Sequence, residues 1–233
     1  MSEEGKVIFW SLPPSANSSV IRCFMNVNNI EYEEKNAWGQ TRTPEFIAKF
    51  PNNTAPSIEH HVNGEEIYVT ETLTIMRYLA RVYPETAGKY YDVSDPKIVS
   101  KIDMVMDYTH STLAKALPLA CYPVLGFPSY PGEVGDLEET KPHIDKSVEA
   151  ATKYLSGIIN DKYVDIFLKD TKFLCSDTPT IADFRFAPML STIKVSMKLP
   201  ERIETYLQDC YNEMSGFEDG MKPSEEFCSA KFV

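Results

Sequence analysis

Apolar positions in the first third of the chain switch between two periods. Lys6–Trp10 (KVIFW) is a short apolar run of β-forming residues and predicts a buried strand. Beyond Pro13-Pro14, the spacing of Val20, Ile21, Phe24 and Val27 predicts a helix capped by Asn17 or Ser18 and ending near Asn28-Asn29. IEYEE (30–34) alternates as a second strand. Thr43-Pro44 reads as a helix start, with Phe46, Ile47 and Phe50 on one face and Pro51 as the stop. SIEHHVNGEEIYV divides into two strands around Asn63-Gly64, a pair suited to the positive φ angles of a tight hairpin turn. From Leu73, the residues Ile75, Met76, Leu79 and Val82 predict a third helix closed by Pro84.

The resulting order, β-α-β-α-β-β-α, is that of the thioredoxin-like folds. Strand patterns fade after YPETAGKYYDVSDP (83–96), while helical ones persist in 96–117, 141–160 and 201–214. CYPVLGFPSYPGEVGD (121–136) holds prolines, glycines and aromatics and predicts an ordered loop that could wall an apolar pocket. The expected organisation is an α/β thioredoxin-like domain over 1–84, a linker over 85–95 and an all-helical domain over 96–233.

Composition narrows the chemistry. A hydrophobic fraction of 43% in 233 residues is ample for packed cores. The formal charge of −11 has no Lys/Arg cluster within it, which argues against nucleic acid or an anionic membrane as partner. No run is long enough for a membrane span, and MSEEGK does not begin like a signal peptide, so the expected location is the cytosol. The five scattered cysteines form no CxxC pair, and His60, His61, His110 and His143 lack metal-ligand spacing, so no metal is expected. A small molecule or another protein remains as partner.

The segment SLPPSANSS (11–19) places four serines after the first strand without a nearby histidine or acid. Together with TPEFIAKFPNNTAPSI, VTETLTIMRYLARVYP, KIDMVMDYTHSTL and DTPTIADF, in that order over nearly the whole chain, it resembles the cytosolic glutathione transferases, most closely their theta and delta classes. That resemblance implies the glutathione transferase fold, glutathione as co-substrate, a small hydrophobic electrophile and a homodimer, with Arg77, Arg81 and Asp103 near the subunit seam. It also implies Ser15 as the hydroxyl that stabilises glutathione's thiolate. Read locally, Ser15 is equally a turn or cap residue.

The resemblance further implies glutathione contacts from Thr41, Arg42, Asn53, Thr54, the Ala55-Pro56 peptide in its cis form, Glu71 and Thr72. It places the electrophile beside Leu12, Tyr108, Ser111, Tyr122 and Phe127. His110 reads as a core histidine. Thr180 and Asp183 have the spacing of a reciprocal helix cap and are expected to be structural. The chain departs from the family pattern at Thr41 and Asn53, where basic groups are usual, and at Asn17 and Ser19, where Pro and Arg are usual. The rival readings are a thiol transferase, a glutathione-dependent peroxidase or isomerase, and a catalytically weak or idle protein-interaction module. A thiol transferase needs a cysteine at the start of the first helix, and Cys23 lies deep within that helix.

Overall fold

A computed structural model of the chain describes residues 5–127 and 137–233, the first ten of the latter as backbone only. Strands β1 (Lys6–Ser11), β2 (Tyr32–Asn36), β3 (Ser57–Val62) and β4 (Glu65–Thr70) form one sheet in the order β2-β1-β3-β4. β1 and β2 are parallel, with helix α1 (Ala16–Val27) as the crossover, and the other two pairings are antiparallel. Val7 and Phe9 of central β1 are wholly buried. Asn63 and Gly64 take φ of 52° and 79°, the left-handed pair that the hairpin requires. Helix α2 (Pro44–Lys49) starts at Thr43, whose hydroxyl accepts the Phe46 N–H at 3.3 Å, and α3 (Thr72–Val82) completes this layer.

Sheet register decides what lies near what. Trp10 pairs with Ser57, Ser57 with Thr70, and Ser11 with Asn36. The connections after β1, after β2, before β3 and after β4 therefore all leave one end of the sheet.

The remainder is helical. It comprises α4 (Pro96–Tyr108), a π turn (Thr109–Leu113), α5 (Ala114–Leu125), α6 (Leu137–Ile158) with a π extension (Ile159–Phe167), α7 (Ile181–Phe186), α8 (Leu190–Ile193), α9 (Glu201–Glu213) and α10 (Phe217–Ser229). A single core runs through both layers. Phe184 of α7 joins them, its ring centroid 5.0 Å from those of Phe24 and Tyr90. Arg77 of α3 binds Asp103 of α4 at 2.6 Å, so two of the charges expected at a subunit seam are engaged within the chain.

Several sequence expectations are corrected. The α1 cap is Ser15, not Asn17 or Ser18, because Ser18 turns its hydroxyl back to accept the Leu12 N–H at 3.0 Å. β2 is displaced to Tyr32–Asn36 by its pairing with β1. Residues 121–125, expected in a loop, continue α5 despite Pro118 and Pro123, because burial of Leu117, Ala120 and Cys121 outweighs local propensity. Of that expected loop, 128–136 lie outside the described residues. His110 is exposed rather than core, set outward by the π turn that buries Thr109 and Leu113 on the opposite side. Helix α10, absent from the sequence expectations, is held by contact with α1, where a Cβ on Gly220 would lie 2.6 Å from the Cys23 backbone.

Asp183 is fully buried at the start of α7. One carboxylate oxygen accepts the Thr180 N–H at 2.7 Å and the Thr180 hydroxyl at 3.1 Å; the other accepts the Leu174 N–H at 3.0 Å and the Tyr206 hydroxyl at 3.1 Å. The cap is thus closed from the carboxylate side, and it also anchors a loop and α9. Burial raises the carboxyl to about 6 even though these donors pull it down.

Two outcomes follow for stability. Asp183→Ala strips the acceptor from two buried backbone N–H groups and should cost on the order of 3 kcal/mol at neutral pH. With a folded pKa above the unfolded value near 4, this group's titration contributes stability that is full below pH ~4 and lost as pH rises through about 6. Urea unfolding should therefore show a wider gap between wild type and Asp183→Ala at pH 4 than at pH 7. Gly220→Ala should lower thermal stability by roughly 1–3 kcal/mol, because overpacking against Cys23 outweighs alanine's helix preference of about 1 kcal/mol. A melting temperature equal to or above wild type would show that α10 can move off α1 freely.

Candidate active site

The four serines of SLPPSANSS have different fates. Ser11 is buried and donates to Glu34, which Arg22 also grips, its Nε at 3.1 Å from one carboxylate oxygen and an Nη on the other. Burial alone would raise the Glu34 carboxyl, but Arg22 and Ser11 outweigh it and hold it below the usual range. Ser18 accepts the Leu12 N–H, and Ser19 donates to Ser224 of α10 at 3.1 Å. Ser15 alone has no side-chain partner among the described residues. Its backbone is nevertheless fixed, because its N–H binds the Leu12 carbonyl and its carbonyl accepts the Ser19 N–H, both at 2.9 Å.

Ser15 thus presents a free hydroxyl at the N-terminus of a twelve-residue helix, where the helix's unpaired N–H groups make the field positive. It opens into a cleft of about 240 Å³ between the sheet layer and the helical region. Leu12, Leu117, Tyr122, Leu125, Phe127, Met189 and Phe227 supply apolar wall, and among the described residues no charged side chain lines it. Phe127 and Phe227 stack with centroids 5.8 Å apart, closing one side, while Trp38 stands at the rim 66% exposed. The amide of Asn17 and the hydroxyl of Thr192 are among its few polar groups. The Asn17 amide oxygen in turn accepts from Arg185 at 2.6 Å.

Leu12, Tyr122 and Phe127 are therefore placed with Ser15. Tyr108 and Ser111 are not. The Tyr108 ring packs against Tyr163 and Phe167, at 6.3 and 5.7 Å, and faces a separate groove beside Tyr154 and Lys153 of α6. Ser111 is exposed on the π turn, next to Thr112. Trp38, Met189, Thr192 and Phe227 were not singled out from sequence. Their distance along the chain hides them, and Phe227 belongs to α10.

The remaining candidates lie on connections leaving the same end of the sheet. Thr41 and Arg42 sit in the turns after β2, and Arg42 is exposed, with no ion pair among the described residues. Asn53 takes φ of 47°, and the Thr54 carbonyl accepts the Ser57 hydroxyl at 2.8 Å. The Ala55-Pro56 peptide is cis. Glu71, at the cap position of α3, has φ of 67°, a left-handed conformation unusual for glutamate that is held while its carboxylate accepts from Asn52 at 3.0 Å. Thr72 is buried at the first position of α3.

All five cysteines are buried. Burial pushes the thiols of Cys121 and Cys175 up to about 12, and that of Cys23 higher still, with its sulfur 3.3 Å from the Phe217 carbonyl. None is a ready nucleophile. Burial also raises the Tyr122 phenol, so this cleft residue stays neutral. Among the described residues no His, Cys, Asp or Glu group could hold a metal ion, and no helix is long and apolar enough to cross a membrane.

Comparison with known proteins agrees with this frame. Residues 5–81 match the family model of the glutathione S-transferase N-terminal domain. The whole chain resembles a delta-class glutathione transferase of Nilaparvata lugens, at 22% identity and a TM-score of 0.70, covering 97% of this chain and 99% of that one. Human glutathione S-transferase T1-1 is similar at 19% identity and a TM-score of 0.72, with 97% and 90% covered. A theta-class enzyme of Xanthomonas axonopodis pv. citri, solved with glutathione bound, also matches at 19% and 0.72, with 92% and 96% covered.

Proposed function

From a chain whose first domain is of the glutathione S-transferase family and whose full length has the glutathione transferase fold, we infer that it conjugates glutathione to small, uncharged electrophiles. The observation that carries this reading is the hydroxyl of Ser15, alone among the four serines of its segment in having no side-chain partner among the described residues, at a helix N-terminus and on the wall of an apolar cleft.

The chemistry asked of the site is modest. A free thiol has a pKa of about 8.5, and each unit of lowering needs about 1.4 kcal/mol of preference for the thiolate. The Ser15 hydroxyl donates to the sulfur, and the first-turn N–H groups of α1 add a positive field. No histidine base is required, because solvent takes the proton. The γ-glutamyl end lies at Glu71 and Thr72, the cysteinyl part at the backbone of Ala55 beside Pro56, and the glycyl end near Thr41, Asn53 and Thr54. Arg42, exposed and free of other pairing among the described residues, is the cation available to the glycyl carboxylate. The cleft, without a charged side chain among its described lining residues, suits apolar electrophiles better than charged ones, whose desolvation would go unopposed there. The same reading carries a homodimer, with light scattering as its test.

Ser15→Ala should leave the fold intact, raise the bound thiol's pKa by at least one unit and cut turnover at neutral pH by roughly ten- to a hundredfold, with partial recovery at higher pH. Ser11→Ala, Ser18→Ala and Ser19→Ala should lack that pH signature, since their hydroxyls are already engaged. A wild-type pH–rate profile for Ser15→Ala would sink the assignment; an absence of turnover in wild type across a panel of electrophiles and hydroperoxides would favour an idle interaction module. Glu71→Ala should raise the glutathione concentration needed for half-saturation at least tenfold, and Thr72→Ala less, as read by glutathione titration.

A further inference from the structure

We propose that Arg185, acting through Asn17, is a positioning residue that holds a positive charge beneath the first turn of α1 and so favours a thiolate at Ser15. The inference rests on the glutathione reading above and assigns that site a second source of positive charge.

Arg185 is 1% exposed, the penultimate residue of α7. One terminal nitrogen donates to the Asn17 amide oxygen at 2.6 Å, and its Nε is buried without a partner. It makes no ion pair among the described residues. The contrast is the buried arginine of α1 itself: Arg22, 4% exposed, has the carboxylate of Glu34 along one edge of its guanidinium, on Nε and one Nη. One charge is neutralised and the other is not.

An uncompensated guanidinium is costly to bury, and its position at a helix N-terminus is opposed by the helix field. A packing role alone would be served by leucine or methionine at neither cost. Both effects change sign once an anion occupies the same turn, because the charge and the helix field then act on it together. Asn17 lines the cleft with Ser15 and, two residues on, belongs to the turn whose free N–H groups face that anion.

The surrounding titratable groups leave this charge in place. Burial lowers the guanidinium to about 10, with Tyr163 and Glu71 acting in the opposite sense, so it remains protonated at neutral pH. Tyr163, from the π extension of α6, is kept neutral by burial and shares its hydroxyl with Thr109 at 2.7 Å. Asp183, two residues away on α7, faces Thr180, Leu174 and Tyr206. On α4, Asp103 is held by Arg77 and Tyr91, and on α1, Arg22 is held by Glu34 and the Cys23 thiol is un-ionised. Glu71 is the carboxylate that acts on Arg185, and it stands at the cap of α3 rather than in the cleft.

The test is a pH titration of enzyme-bound glutathione, following the ultraviolet absorbance of the thiolate, in wild type, Ser15→Ala, Asn17→Ala, Arg185→Met and Arg185→Lys. Arg185→Met should raise the bound thiol's pKa by about one unit, lowering kcat/KM about tenfold below that pKa and converging on wild type at high pH. Asn17→Ala should shift it in the same direction by less, and Arg185→Lys should lie between wild type and Arg185→Met. If Arg185→Met does not fold, Asn17→Ala, at a half-buried position, and the charge-keeping Arg185→Lys decide. A wild-type thiol pKa in Asn17→Ala and in every folded Arg185 variant, with Ser15→Ala still shifted, overturns this inference alone. No thiolate in wild type, or no shift in Ser15→Ala, overturns the glutathione reading and this inference with it.

Discussion

The cleft depends on how α7 is seated against α1. Three consecutive residues of α7 perform separate parts of that seating. Asp183 turns inward to collect four donors and fixes where the helix begins. Phe184 meets the rings of Phe24, Tyr90 and Phe217, so the aromatic contact between the two layers passes through one side chain. Arg185 reaches the first turn of α1 through Asn17. A six-residue helix has little stability of its own, and its position comes from burial of every residue in it.

On its other flank α1 is held by α10, at a distance that only glycine allows at position 220. Ser224 joins the two helices and α8 through hydroxyl contacts of 3.1 Å to Ser19 and to Ser191. The helix that presents Ser15 is therefore gripped along its length from two directions, while its N-terminal turn is left open to the cleft. That division of labour suits a site whose reacting group must be exposed yet fixed, because a donor loses force quickly when its geometry drifts.

Much of this frame was legible in the sequence, and what escaped has a common cause. The first strand, the two strands around the Asn63-Gly64 turn, the Thr43-Pro44 helix start and the Thr180/Asp183 cap are local patterns, and each appears where its residues indicate. Ser15 could be singled out only by matching a family's segment, since four hydroxyls look alike until their partners are known. Pro118 and Pro123 misled because burial of α5 overrides the usual meaning of proline. His110 misled because it lies within the π turn at Thr109–Leu113, which turns it outward while burying Thr109 and Leu113. α10 escaped because Gly220 and Pro223 are poor helix formers, although tight packing on α1 makes the glycine necessary.

The two departures from the family's first-helix segment now have a physical account. Asn17 and Ser19 look, within the segment, like the loss of a proline and an arginine. In the fold each meets a partner supplied from far along the chain, Asn17 from Arg185 at a separation of 168 residues and Ser19 from Ser224 at a separation of 205. A proline at 17 would offer Arg185 no side-chain acceptor and leave its guanidinium wholly unpartnered in the core. An arginine at 19 would bring a second buried cation beside Arg22, whose Nη1 already lies 3.4 Å from the Ser19 hydroxyl. The small neutral residues in α1 and the cation in α7 are thus one arrangement, in which the charge near the cleft comes from the helical region and reaches α1 through an amide.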